Sequence, residues 1–230
     1  MRKYILPVAA LSLLATMSLT ACKKGDNQKL DGDNNPVSDF MSTRADSWWM
    51  YGSNEGTVTI RRATGKDSTM LGRIYNYYET TDTTSQYITP EYFGKNQDKF
   101  LMLVDMDLNG NKQNYMNVVV QKENPAVGET WSNTGSLSYG GFPFDLLTEG
   151  EVKSTGGTMV LNGITYTDVT EIENALKFKP KLTPIYAKAG KARMWFAKGI
   201  GIIRSDFDIS IGSLYSRKYN DSLLSYHIEP

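Results

Sequence analysis

The sequence predicts an all-β domain, mainly antiparallel, with few or no long helices. Apolar and polar residues alternate at period two through Thr57–Arg61, Tyr115–Val120 and Asp206–Ile209, as expected of strands with one wetter face. Tyrosine occurs 14 times and threonine is frequent, and both residue types favour strands. The third observation is a set of turn-forming pairs, namely Asn109-Gly110, Gly156-Gly157 and Asn162-Gly163.

Two apolar runs predict strands that are covered on both faces. Phe100–Val104 and Gly199–Ile203 lack the alternation of the other segments, which is typical of strands with apolar neighbours above and below. Pro180 and Pro184 mark a break between strands, because proline cannot donate to a sheet ladder. The pattern as a whole indicates about ten strands.

The first 21 residues have the composition of an export signal. Met1–Lys3 carries two positive charges, and Tyr4–Ala21 contains no charged residue, which is the layout of a secretory signal peptide. A membrane-spanning helix needs about 20 consecutive apolar residues, whereas this run is interrupted by Pro7 and by several hydroxyl residues. We therefore predict a signal peptide over residues 1–21.

The tetrapeptide Leu19-Thr20-Ala21-Cys22 resembles the lipobox of bacterial lipoproteins. This resemblance implies cleavage before Cys22 and attachment of lipid, such as palmitate, to its thiol, so that the membrane becomes a partner of the protein. More than one acyl chain gives durable anchoring. Cys22 is also the single cysteine of the chain, so the protein has no internal disulfide and no cysteine-ligated zinc.

The segment after Cys22 predicts a flexible tether, residues 22–38, followed by one β-rich domain, residues 39–230. Leu30 is the only large apolar residue between positions 23 and 36, too little apolar surface to order the segment. Loss of residues 1–21 removes two of the 25 basic residues against 25 acidic ones, for a net charge of about −2. This near-neutral balance excludes a general nucleic-acid binder.

A calcium-loop pattern begins at Asp105. Asp105, Asp107 and Asn109 occupy the first, third and fifth positions, and Gly110 the sixth, of an EF-hand-like loop. The twelfth position is Met116, which cannot supply the bidentate carboxylate. We interpret the segment as a hairpin turn, with a weak calcium site at Asp105, Asp107 and Asn109 as the alternative, and we predict no resident metal or cofactor.

No catalytic motif is present in the sequence. The single histidine, His227, is the fourth residue from the C-terminus, and neither Gly-x-Ser-x-Gly nor Ser-x-x-Lys occurs. Carboxylates such as Glu91, Glu129 and Glu149 are numerous enough for a hydrolase pair, but sequence does not give their separation. We predict a protein that is not an enzyme, with a carboxylate-dependent hydrolase as a remote alternative.

The segment Lys177–Lys198 contains seven basic residues, four aromatic residues and no acidic residue. An anionic partner, such as phosphate head groups or acidic glycan, is one interpretation. A solvated strand face whose lysines protect an edge is the other. The basic residues are Lys177, Lys179, Lys181, Lys188, Lys191, Arg193 and Lys198.

Two further segments, Pro125–Trp131 and Trp195–Arg204, resemble a pattern of exported lipoproteins of Bacteroidetes-type bacteria and of TapB-like domains. Together with Trp48–Tyr51 as the opening strand, the resemblance covers Trp48 to the C-terminus. It implies a strongly curved antiparallel sheet, or half-open barrel, similar to the lipoprotein carriers LolA and LolB. It also implies an outer-membrane location for the anchor.

A curved sheet has a concave apolar face that its own side chains, another segment or a guest must fill. Our leading hypothesis is therefore a non-catalytic, lipid-anchored envelope protein whose concave face binds an apolar ligand. The alternative is a structural or adhesive surface protein that contacts envelope glycan or protein through exposed aromatic residues.

Overall fold

The computed structural model describes residues 40–105, 115–139, 142–181, 183–211 and 215–230. These residues form twelve strands in one antiparallel sheet and no helix, which confirms the predicted all-β fold class. Within the described part of the chain there is accordingly no helix of the length and hydropathy that a membrane span requires.

Consecutive strands pair along the chain except β6 and β7, which form the two edges of the sheet, and the first and last strands, β1 and β12, pair with each other. The order across the sheet is β6-β5-β4-β3-β2-β1-β12-β11-β10-β9-β8-β7. The strands are β1 Trp48–Ser53, β2 Val58–Met70, β3 Arg73–Asp82, β4 Ile88–Asn96, β5 Lys99–Asp105, β6 Tyr115–Lys122, β7 Thr130–Tyr139, β8 Phe142–Leu161, β9 Ile164–Pro180, β10 Ala187–Ala197, β11 Gly201–Ile211 and β12 Tyr215–His227.

The main core lies on the concave side of the sheet. Its cluster joins side chains from strands that are far apart in the sheet order, among them Trp49 of β1, Val120 of β6 and Ile172 of β9. Only the concave side of a curved sheet brings such strands together. A second, smaller cluster contains Leu101 and Leu103 of β5, so β5 is buried on both faces, as its apolar run predicts.

The sheet curls until its two edge strands, β6 and β7, lie side by side. The indole Nε1 of Trp131 on β7 donates to the Val119 carbonyl oxygen at 2.8 Å, and the Val119 amide donates to Asn133 Oδ1 at 3.1 Å. Side chains of β7 thereby satisfy backbone groups that would be exposed on the β6 edge, a liability for any open sheet. The sheet is nearly closed into a barrel, and at this seam side chains of β7 contact β6 in place of strand pairing.

The turn predictions have three different outcomes. Asn162-Gly163 forms the β8–β9 turn, with positive φ at both residues. The prediction of a turn at Gly156-Gly157 is wrong, because both residues lie inside β8, where its pairing with β9 shifts register. The extra residues form a β-bulge that bends the strand instead of reversing it. Asn109-Gly110 lies outside the described residues.

Candidate functional site

The segment 40–47 fills part of the barrel interior before β1 begins. Phe40 lies with its ring centroid 4.6 Å from that of Phe100 and 5.2 Å from that of Phe196. Met41 is 1% exposed and packs against Gly201, where an added Cβ would come within 2.9 Å of the Met41 Cγ. Gly201 has φ +106°, so two constraints require glycine there. We call residues 40–47 the plug.

Hydrogen bonds hold the rest of the plug to the sheet. The Tyr78 hydroxyl donates to the Ser42 carbonyl oxygen at 2.9 Å. The Asp46 amide donates to the Ala63 carbonyl oxygen at 3.2 Å, and the Ala63 amide donates to the Ser47 carbonyl oxygen at 2.9 Å. The barrel end where the plug enters is named the proximal end; the β6–β7, β8–β9 and β10–β11 turns also lie there.

A cleft of about 310 Å³ opens at the proximal end. Phe100 and Phe196, the two closest ring partners of Phe40, form its floor. The remaining lining is mostly polar, so the cleft joins an aromatic floor to a hydrophilic rim. It is lined by Phe100, Gln121, Lys122, Glu123, Asn124, Pro125, Thr155, Gly156, Asp168, Thr170, Phe196, Ala197 and Lys198.

Irregular strand geometry shapes the walls of the cleft. Thr155 and Gly156 lie in the β8 bulge, and Asp168 of β9 has φ +54° at the position where its pairing shifts. The Lys198 amide donates to the Asp168 carbonyl oxygen at 3.4 Å, which ties the β10–β11 turn to this wall. Bulges that bend a strand beside a cavity are common next to functional sites.

The β6–β7 loop forms the opposite wall and is fixed to β8. The Gly128 amide donates to the Val152 carbonyl oxygen at 2.9 Å, and the Val152 amide donates to the Glu129 carbonyl oxygen at 3.0 Å. The Glu129 carboxylate accepts from Lys122 Nζ at 2.5 Å and from the Ala126 amide at 3.2 Å. These donors hold the pKa of Glu129 below its usual range.

The rim carries both signs of charge. Lys122 is bound to Glu129, and Glu123 lies 3.0 Å from Lys95 Nζ, whereas Lys198 and Asp168 are exposed. Deeper in the lining, the Oε1 atom of Gln121 is buried and accepts no hydrogen bond from the described residues. A ligand here meets an apolar floor and a rim that has hydrogen-bond donors and acceptors.

A buried ion pair on the inner face of β2 and β4 is a second polar feature of the interior. Arg61 Nε lies 2.5 Å from Glu91 Oε2, and their side chains are 12% and 26% exposed. Thr80 also donates to Glu91, and Arg61 lies over the rings of Tyr51 and Phe93. Burial raises the pKa of Tyr51 to about 12, although the nearby Arg61 opposes this shift. Burial alone would lower the pKa of Arg61, but Glu91 and Tyr51 raise it above its ordinary value.

The other end of the barrel, the distal end, has a partly exposed inner wall. Phe144 and Phe178 contact each other with ring centroids 6.1 Å apart, and Phe207 stacks on Tyr219 at 4.7 Å. Phe144, Phe178 and Phe207 pack against the main core and are half-buried. The concave face is therefore filled by protein at its centre, while apolar side chains stay accessible toward the distal end.

Seven basic residues are predicted from the sequence to contact an anionic partner. Four of them form ion pairs with acidic residues on a neighbouring strand. Lys177 pairs with Glu149 and Lys179 with Asp145, while Lys191 and Arg193 both pair with Glu173. The acids come from β8 and β9, which the basic segment alone does not reveal. The other three basic residues are exposed, and they are Lys181, Lys188 and Lys198. An anionic partner stays a prediction, and Lys198 alone of the seven lines the cleft.

The remaining predicted site residues contribute little to the described structure. Cys22, Asp107 and Asn109 lie outside the described residues, and Asp105 ends β5. Among the described residues no group of three or more His, Cys, Asp or Glu side chains is placed to hold a metal ion. His227 is exposed and contacts Glu229 at 3.0 Å.

Comparisons with known proteins identify the fold class. The sequence matches no protein-family model and no curated protein. Two solved structures share the fold, each with a TM-score of 0.50 over 83% of this chain. One, described as a lipoprotein from Parabacteroides distasonis, is 11% identical over 99% of its own length. The other, described as an exported protein with a YmcC-like fold from Bacteroides fragilis, is 12% identical over 100% of its length.

The chain therefore has a fold that occurs in proteins of Bacteroidetes described as exported or as a lipoprotein. At 11–12% identity the likeness concerns the fold. It agrees with the curved-sheet expectation from Pro125–Trp131 and Trp195–Arg204. The finer resemblance to TapB-like domains and to LolA and LolB stays a prediction.

Sequence reasoning missed both the plug and the Arg61–Glu91 pair. Phe40 and Met41 are two apolar residues after a polar stretch, and no local pattern tells where such a short segment docks. Arg61 and Glu91 are 30 positions apart, and the sheet register that joins them becomes visible only in the fold. A basic residue within the alternating strand Thr57–Arg61 was the available signal.

Proposed function

We propose that this protein is a lipid-anchored envelope protein that binds an amphipathic ligand without catalysis. The apolar part of the ligand lies against Phe100 and Phe196, and its polar group stays at the rim near Lys198. The observation that carries the proposal is the proximal cleft of about 310 Å³, with its aromatic floor and polar rim. Its volume is at the lower end of the range for ligand pockets, about 300–1,000 Å³.

Sequence and fold support an envelope location for this activity. Residues 1–21 have the signal-peptide layout, and Leu19–Cys22 resembles a lipobox. The two structural neighbours are described as a lipoprotein and as an exported protein. We propose the outer membrane as the site of the anchor, on the basis of the resemblance to Bacteroidetes-type lipoproteins.

The charges around the cleft favour binding over hydrolysis. Glu129 and Glu123 are held by Lys122 and Lys95, and in the interior Glu91 is held by Arg61. General acid–base chemistry needs an acid and a base that converge on one reacting atom. Ion pairing instead gives these carboxylates a structural role.

A structural or adhesive role is the second candidate, and a tyrosine group favours it. Tyr77 stacks on Tyr92 with ring centroids 5.4 Å apart, and Tyr92 meets Tyr115 edge-on at 6.4 Å. All three rings are partly exposed, and Tyr92 and Tyr115 pack against the smaller core cluster, which contains Leu101 and Leu103. Partly exposed aromatic surfaces of this kind are suited to contact with glycan or protein.

Filling the cleft tests the proposed site. Thr155→Trp places an indole in the cleft lining from an exposed position, so we expect dodecanoate to bind the variant at least about tenfold more weakly. Thr158→Trp is the matched control, because Thr158 is exposed on the same strand but does not line the cleft. Isothermal titration calorimetry measures both dissociation constants. The site is refuted if wild type and both variants bind dodecanoate equally well.

A further inference from the structure

The inner boundary of the cleft is formed by the two rings that contact Phe40. Phe100 and Phe196 line the cleft, and Phe40 packs on both at ring separations of 4.6 and 5.2 Å. Phe40 itself is 4% exposed and lies on the interior side of these rings. An apolar group that enters deeper than the floor would have to occupy the volume that Phe40 now fills.

The plug is attached to the barrel differently at its two ends. From Ser42 to Ser47, hydrogen bonds join the plug to Tyr78 and to the Ala63 backbone. The side chain of Phe40, in contrast, makes ring contacts with Phe93, Phe100 and Phe196. The burial of apolar surface that favours these contacts is non-directional, so another apolar group of similar size can take the place of the ring.

We propose that Phe40 is an internal occupant of the binding cavity and that the apolar part of the ligand displaces it. This inference rests on the proposed function and deepens it, since it makes the ligand class one whose apolar group replaces a phenyl ring. Phe40 lies 18 positions after Cys22. It is therefore the first described residue after the predicted lipid anchor. Ligand binding and the seating of the Phe40 ring are then mutually exclusive.

Competition of this kind has a defined effect on affinity. An occupant that holds the cavity closed most of the time lowers the apparent affinity of the ligand by the fraction of open cavity. Removing the ring of Phe40 removes the competitor. Because all described contacts lie within residues 40–230, a chain beginning at residue 28 keeps every one of them and is the sample for the test.

The test compares dodecanoate binding to wild type, Phe40→Ala and Phe40→Leu by isothermal titration calorimetry. We expect Phe40→Ala to bind on the order of tenfold more tightly than wild type, with Phe40→Leu between them. Phe40→Leu keeps the test valid if the larger truncation does not fold. Phe144→Ala is the matched control, because it removes the same ring from the distal wall and should leave the affinity unchanged.

Amide hydrogen exchange gives the second readout. Ligand binding ordinarily slows exchange, whereas displacement of Phe40 removes an anchor of the plug and should speed exchange in residues 41–47 when dodecanoate is added to wild type. Unchanged or weaker binding by both Phe40 variants, or slower exchange in the plug, would overturn the inference while leaving the cleft as a site. Binding by the Phe40 variants but not by wild type would support it. Binding by none of the proteins would overturn both the inference and the proposed function.

Discussion

Gly190→Ala should destabilise the protein by about 3 kcal/mol or more, the largest effect we expect from a single methyl group. Gly190 has φ +134°, a conformation that residues with a Cβ rarely adopt. An added Cβ would lie 2.7 Å from the Ile209 Cα and closer still to the Asp208 carbonyl oxygen. Both atoms belong to the β11 backbone, which would have to move away from β10 at the bulge between Lys188 and Gly190.

Gly157→Ala is the matched control for this variant. Gly157 also lies at a register shift inside a long strand, but an added Cβ there would meet only the Val169 carbonyl oxygen, at 3.6 Å. We expect a change within about 1 kcal/mol. Urea denaturation of both variants measures the difference. Equal unfolding midpoints would show that the β9–β10 bulge at Gly190 does not need glycine.

Glu91→Leu should destabilise the protein by about 2–3 kcal/mol, toward the low end of the values for a broken buried ion pair because Glu91 is 26% exposed. The variant leaves the Arg61 guanidinium, 12% exposed, without its carboxylate partner. The double variant Arg61→Met with Glu91→Leu removes the stranded charge and fills the site with apolar groups. It should recover most of the lost stability.

An exposed ion pair provides the control for Glu91→Leu. Glu149 lies 2.5 Å from Lys177, but the two side chains are 44% and 35% exposed. Glu149→Leu should change the free energy of unfolding by less than about 1 kcal/mol, because exposed pairs contribute little. Two results would contradict this account: the same effect for Glu91→Leu and Glu149→Leu, or a double variant no more stable than Glu91→Leu. Either result would show that pairing with Glu91 is not what stabilises the buried Arg61 charge.

The strands were predictable from sequence because their signal is local. Thr57–Arg61 and Asp206–Ile209 alternate, and the structure has strands at Val58–Arg61 and Asp206–Ile209, since a half-buried sheet imposes period two on its residues. Phe100–Val104 forms β5 and is buried on both faces. Glycine-containing pairs predict turns. This prediction is confirmed at Asn162-Gly163 and is wrong at Gly156-Gly157, where glycine permits a bulge within a 20-residue strand.

The candidate site was not predictable in the same way. Its cleft combines the β6–β7 loop, two bulged strands and the β10–β11 turn, and their approach depends on sheet register and curvature. The basic residues Lys177 and Lys179 looked like a surface for an anion because their partners, Glu149 and Asp145, come from a neighbouring strand. The plug depends on the docking of Phe40, which no sequence period encodes.

The most direct test of ligand binding is native mass spectrometry of the chain from residue 28 onward, purified from cells without detergent. The proposed function predicts a reproducible extra mass that is released as an amphipathic, lipid-like molecule on denaturation. The Thr155→Trp variant should lose that mass while Thr158→Trp retains it. A bare polypeptide mass for the wild-type chain would contradict ligand binding and favour an adhesive role for Tyr77, Tyr92 and Tyr115.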